Sequence, residues 1–172
     1  MKIWLVKISE RVPVDSTVRK SRTAMLADCL AGRGHEVLWW GSTFDHFLKK
    51  SVFEADTELQ LNKNYRARLL HGIDYKKNIS LRRYIDHKII AYKFRHLIKN
   101  MSPPQLIVAS MPTYDLAYEA FNFSKKSNIP IVIDVRDLWP DIFLQQFNGF
   151  NKFIVKIVFC VIIQICKYFH NI

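Results

Sequence analysis

The chain has 172 residues, a formal net charge of +11, nearly half its residues apolar, many aromatics and little Gly or Pro. That composition excludes a disordered, fibrous or loop-only protein and is enough for one domain with a core. The three cysteines, Cys29, Cys160 and Cys166, are odd in number and contain no CxxC pair, which excludes a disulfide framework or zinc knuckle and fits a reducing cytoplasm.

The opening MKIWLVKISERVPVD reads as no signal peptide, because Lys7, Glu10 and Arg11 interrupt a short apolar run. Lys2 to Ile8 is rich in β-formers and reads as a strand, followed by a polar loop from Ser9 to Thr17. Val18 to Ala31 has the apolar spacing of a helix that stops at Gly32. His35 to Trp40 reads as a second strand. Strand, helix and strand in succession predict a βαβ unit and a parallel sheet.

Beyond it, TELQL and YRARLLHG within Asp56 to Gly72 read as short strands. Ser80 is placed to cap a helix from Leu81 to Lys99, and Pro103-Pro104 breaks the chain. LIVAS (Leu106 to Ser110) and PIVIDV (Pro130 to Val135) are unalternating apolar runs, the mark of strands covered on both faces, with a helix from Asp115 to Lys126 between them. The predicted fold is α/β: a Rossmann-like, mostly parallel sheet with helices on both faces, over residues 1–149. Residues 150–172 are strongly apolar, with Lys152, Lys156, Gln164, Lys167 and His170 within an arc of about 120° of a helical wheel. The segment falls short of the ~20 residues needed to span a bilayer. It reads either as a core helix missing its covering domain or as a helix lying in a membrane interface.

In an open parallel sheet, ligands bind outside the carboxyl ends of the strands. Those ends carry Ser9-Glu10, Gly41-Ser42-Thr43 with Phe44-Asp45-His46 behind, Ser110-Met111-Pro112, and Asp134-Val-Arg-Asp-Leu-Trp-Pro-Asp141. In the last cluster Arg136 has the fork to grip a carboxylate or phosphate, Asp137 can accept a hydroxyl proton or fix a sugar hydroxyl, and Trp139 offers a face to a sugar ring. The competing reading pairs Arg136 with Asp137 or Asp141 and buries Trp139 in the core. The D-x-x-D spacing is not a D-x-D clamp and implies no metal. Gly32 and Gly34 follow the first helix rather than precede it, so they form no dinucleotide fingerprint, and the loop from Ser9 to Thr17 has no glycine. Side chains of Arg11, Arg19, Lys20 and Arg22 could meet phosphate there, or simply form a solvated basic face. Of the six histidines none has metal-ligand spacing, and His46, just past a strand end, is the candidate for a sugar hydroxyl or acid-base work. No G-x-S-x-G elbow is present. Lys76, Lys77, Arg82 and Arg83 suit a diphosphate, a membrane, or a solvated helix start.

Several of these segments, taken together, resemble family 4 glycosyltransferases of the GT-B fold, in particular the WbuB-like group of capsule and O-antigen synthesis. They are the opening strand, RTAMLADCL (22–30), GHEVLWW (34–40), STFDH (42–46), YKKNIS (75–80), SMP (110–112) and DVRDLWPD (134–141), in that order. The resemblance implies the amino-terminal, acceptor-binding half of a two-domain retaining enzyme, inactive alone, with the carboxyl-terminal donor domain absent from this sequence. It implies no metal and no cofactor bound by this half, the nucleotide-sugar donor (a UDP-sugar) being held by the other. Its expected partners are a lipid-linked sugar acceptor, an anionic membrane surface at the cytoplasmic face of the plasma membrane, and a separate donor-domain chain. Among the site residues, Asp137 and His46 are the catalytic candidates, with neither marked as the base. Arg22, Asp45, Lys77, Asn78, Ser110, Arg136, Trp139 and Asp141 are candidate substrate contacts. The family often carries glycine in the first loop, where this chain reads PVDSTVRKSR. The alternatives are a non-catalytic, membrane-associated module that binds lipid-linked sugars or a partner chain, and, ranked last, a basic nucleic-acid binder, which lacks an aromatic platform or recognition helix.

Overall fold

A computed structural model describes residues 1–13, 19–78 and 80–136. The chain divides into two units, Met1–Asp134 and Val135–Ile172. The expected terminal helix at 150–172, with Asp137, Trp139 and Asp141, lies outside the described residues.

Among the described residues, eight strands and three helices run in the order β1 (Lys2–Val6), α1 (Arg22–Gly32), β2 (Glu36–Ser42), β3 (Phe44–Asp45), β4 (Lys50–Ser51), β5 (Thr57–Asn62), β6 (Tyr65–Leu70), α2 (Leu81–Ile98), β7 (Leu106–Met111), α3 (Tyr114–Ser127) and β8 (Ile131–Val135). Six of the strands make one sheet in the order β5-β6-β2-β1-β7-β8. β1 pairs in parallel with β2 and with β7, β2 pairs in parallel with β6, and β5 alone among these ladders runs antiparallel, against β6. The fold is therefore α/β with a mostly parallel sheet, and β6-β2-β1-β7-β8 is the Rossmann-like strand order.

Apolar side chains on both faces of the central strands explain the unalternating sequence runs. On one face Ile3, Leu5, Val37, Trp39, Tyr65, Ala67 and Leu69 pack against Ala24, Ala27 and Ala31 of α1. The alanines carry little bulk, so the helix backbone approaches the sheet closely. On the other face Trp4 stacks on Phe123 of α3, and Trp4 and Trp40 meet Phe94 of α2 edge-on, with ring centroids 4.9 Å apart for Trp40 and Phe94. β5 covers only one side of β6. Its TELQLN alternates accordingly, with Glu58 bridging Arg66 and Arg68 across the ladder.

Local signals set the helix bounds. α1 starts at Arg22, later than the apolar spacing predicts, because Ser21 Oγ accepts from Ala24 N–H and so caps the helix there. It stops where Gly34 takes φ +82°, a left-handed conformation that costs glycine nothing. α2 begins as the sequence predicts: Ser80 Oγ accepts from Arg83 N–H at 3.2 Å. Ser80→Ala is expected to cost about 1 kcal/mol in urea unfolding with an unchanged m-value. A Lys88–Asp115 ion pair at 2.6 Å ties α2 to α3. Among the described residues no helix is long and apolar enough to cross a membrane.

Candidate functional site

Parallel register brings the carboxyl ends of β1, β2, β6 and β7 to one rim, and the chain reverses its direction of winding at β1, so the crevice of such a sheet opens there. Lys7, just past β1, is buried, and its Nζ lies 3.5 Å from the Met111 carbonyl at the end of β7. Ser9 takes φ +66° and turns the chain away.

The N-terminus of α1 is where this fold usually receives a phosphate. Here the chain supplies its own anion: Glu10 Oε2 accepts from Thr23 N–H at 3.1 Å, beside the Ser21 cap. Glu10 thus meets the helix dipole that a nucleotide phosphate would otherwise meet. Arg22, on the first turn of α1, is exposed and is not brought to the other candidates.

Beyond β2, the short β3–β4 hairpin and the segment before α2 meet. Asp45 organises the hairpin turn. Its Oδ1 accepts from Phe47 N–H at 2.8 Å and Leu48 N–H at 3.0 Å, and Arg11 Nε sits 2.8 Å from Oδ2, off the line of a hydrogen bond. Buried and engaged on both oxygens, this carboxylate holds the turn rather than reaching out to a substrate. The turn presents His46, whose Nδ1 lies 3.2 Å from Tyr75 Oη, and Lys49, whose Nζ lies 3.3 Å from His46 Nε2. Lys49 Nζ also lies 3.5 Å from Nδ1, and an ammonium has no lone pair, so Lys49 can only donate to the ring. Burial, then Lys49 and Arg83, hold the His46 pKa below its ordinary value of 6.5, so the imidazole is neutral at pH 7.

Tyr75 is buried at the centre of this group. Its ring centroid is 4.1 Å from that of Phe44, and its hydroxyl is within hydrogen-bond reach of Ser9 and Arg83. Burial raises its pKa. Lys49 Nζ also donates to Asn78 Oδ1, and Arg83 Nη1 donates to the Asn78 carbonyl at 2.7 Å. Lys77 is exposed next to Asn78. One turn after Arg83, His87 has a buried Nε2 with no hydrogen-bond partner, and burial followed by Arg83 and Lys7 pushes its pKa down to about 3.

The candidates thus fall into separate groups. Asp45, His46, Lys77 and Asn78 come together beyond β2 and β6. Ser110, in β7, is buried and donates to Asp134 Oδ2 of β8 at 3.0 Å, away from that group in the strand order. Arg136 follows β8 in the second unit. Lys49 and the central place of Tyr75 were not legible from the sequence, where FDHFLKK shows no strand alternation; the one available cue was Asp45 ahead of a polar turn. Among the described residues no group of three His, Cys, Asp or Glu is arranged to hold a metal ion.

No family model matches the chain, and no curated protein does. Among solved structures it is similar to the C-terminal domain of a hydrogenase from Pyrococcus furiosus, at 14% identity over 77% of this chain and 89% of that one, with a TM-score of 0.45. A likeness at that level carries no argument about activity.

Proposed function

We propose that this chain is the acceptor-side domain of a retaining family 4 glycosyltransferase of the GT-B type, acting on a lipid-linked sugar in surface polysaccharide synthesis at the cytoplasmic face of a membrane. The observation that carries the proposal is the contact between two distant sequence segments of the resemblance, STFDH and YKKNIS. They meet through His46 and Tyr75 at 3.2 Å and through Asn78, which Lys49 of the hairpin also reaches, beside the carboxyl ends of the parallel strands. A neutral His46, oriented by Tyr75, offers a ring nitrogen to an acceptor hydroxyl once Lys49 turns aside. The engagement of Glu10 at α1 supports a donor nucleotide held elsewhere, on a second Rossmann-like domain.

Calorimetric titration of the chain with a short-chain polyprenyl-diphosphate sugar tests this reading. Binding is expected, weakened about tenfold by His46→Ala, as loss of one buried hydrogen bond predicts. Affinity should stay flat from pH 8 to pH 7, because the lowered His46 pKa keeps the ring neutral there. A UDP-sugar should bind more weakly. Failure of the lipid-linked sugar to bind, or equal affinity for the UDP-sugar, overturns the proposal.

A further inference from the structure

The hairpin and the start of α2 concentrate positive charge. Lys49 Nζ and Arg83 Cζ lie 5.7 and 5.8 Å from the centroid of the same Tyr75 ring. Both contact Asn78, one at its side chain and one at its carbonyl. Among the described residues, no carboxylate lies within ion-pair distance of either. The acids nearest at hand are engaged: Asp45 holds the hairpin turn and faces Arg11, Asp74 accepts from the Ser51 N–H and hydroxyl, and Asp86 accepts from Ile73 N–H. After burial, the field of these two cations contributes to the lowered pKa of His46.

The adjoining helix end has the same imbalance. α2 has 18 residues and no acid in its first turn, where Arg82 and Arg83 stand instead. Cations oppose the positive end of a helix dipole, so this arrangement costs stability unless an anion shares the site. Arg83 is also incompletely bonded, with a buried Nε that has no partner. Exposed Lys76 and Lys77 flank the same end.

We infer that Lys49, Arg83, Asn78 and the N-terminus of α2 form a binding site for a phosphoryl anion of the monoester or diphosphate class. Arg83 supplies the planar donor fork, Lys49 a point charge, and the Asn78 amide nitrogen a neutral donor. The neutral His46 adjoins Lys49 and adds no charge to the site. The site itself stands on this geometry; naming the anion as the diphosphate of a lipid-linked acceptor rests on the proposal above.

The experiment titrates the full chain with inorganic pyrophosphate by calorimetry, against chloride at matched ionic strength. Saturable binding is expected, and Lys49→Gln and Arg83→Lys should each weaken it about tenfold, the loss of one charge-assisted contact. Both substitutions retain a donor toward Asn78, and thermal unfolding verifies that each variant folds. Lys63→Gln, in the exposed turn at the opposite end of β6, should leave binding unchanged. Competition then identifies the source of the phosphate. Phosphatidylcholine vesicles carrying a polyprenyl diphosphate should displace pyrophosphate, and vesicles carrying phosphatidylglycerol should not. Displacement by phosphatidylglycerol overturns the acceptor assignment and makes the site one for lipid headgroups. Pyrophosphate binding no stronger than chloride, or equal in wild type and both site variants, overturns the site, while binding of the lipid-linked sugar in the earlier titration would still stand.

Discussion

Gly72→Ala is expected to destabilise the protein by about 4 kcal/mol, because the added methyl group meets a buried, hydrogen-bonded carboxylate. The cause is steric and local. A Cβ at Gly72 would lie 1.9 Å from Asp86 Oδ1, 3.0 Å from Asp86 Cγ and 3.3 Å from Ile90 Cδ1. Asp86 is buried on α2, and the same Oδ1 accepts from Ile73 N–H at 2.8 Å. It therefore cannot swing aside without leaving that N–H bare. Overpacking contributes about 1–3 kcal/mol and an unsatisfied buried donor a similar amount. Urea unfolding should show a lower midpoint with an unchanged slope. A second variant separates the steric cause from a general intolerance of Gly72. Asp86→Ala removes the obstructing carboxylate, so the double variant should be more stable than the sum of the two single losses. A Gly72→Ala protein within roughly 0.5 kcal/mol of wild type would show that the backbone yields without cost. Because Gly72 leads into the segment that carries Tyr75 and Asn78, the same substitution should also weaken pyrophosphate binding.

The contact between Gly72 and Asp86 could not be read from the sequence, and it illustrates what a single chain reveals. The strands around Trp4, Trp40 and Val108 were legible because burial on both faces needs continuous apolar runs. The start of α2 was legible because Ser80 is a capping residue placed directly before a helical stretch. The β3–β4 hairpin was not, since two-residue strands are too short for periodicity to register. For the site, His46 was legible as a polar residue beyond a strand end. Asp45 read equally well as a ligand, because a sequence does not disclose which carboxylates backbone N–H groups have already taken. Glu10 read only as a polar residue at the end of the first strand, and its role at α1 was hidden for the same reason. Its pairing with Thr23 N–H depends on how the loop between β1 and α1 closes, and pattern says little about that closure.

Asp86 also gives the protein an unusual response to pH. Its pKa is raised from 3.8 to about 6, by burial first, with the Ile73 N–H, His71 and Arg83 opposing and Asp74 adding to the rise. The folded state therefore keeps this proton where the unfolded chain has lost it. Its contribution to stability is greatest below pH 4, falls as pH rises from about 4 to about 6, and is level above that. A shift of this size corresponds to about 3 kcal/mol. His87 works in the opposite direction. Its folded pKa of about 3 lies below the unfolded 6.5, so stability is lost as pH falls through the same interval. The two slopes largely cancel in the wild type, which hides both. Asp86→Asn separates them, since the amide oxygen still accepts from Ile73 N–H and carries no proton to lose. The variant should match the wild type near pH 4 and exceed it by about 3 kcal/mol at pH 7, while its own stability falls on acidification with the His87 slope exposed. Denaturant midpoints taken across pH 4–7 read this directly. A difference between the two proteins that stays constant across the range would mean that Asp86 ionises at its ordinary value and that its burial is relieved by solvent or by Arg83.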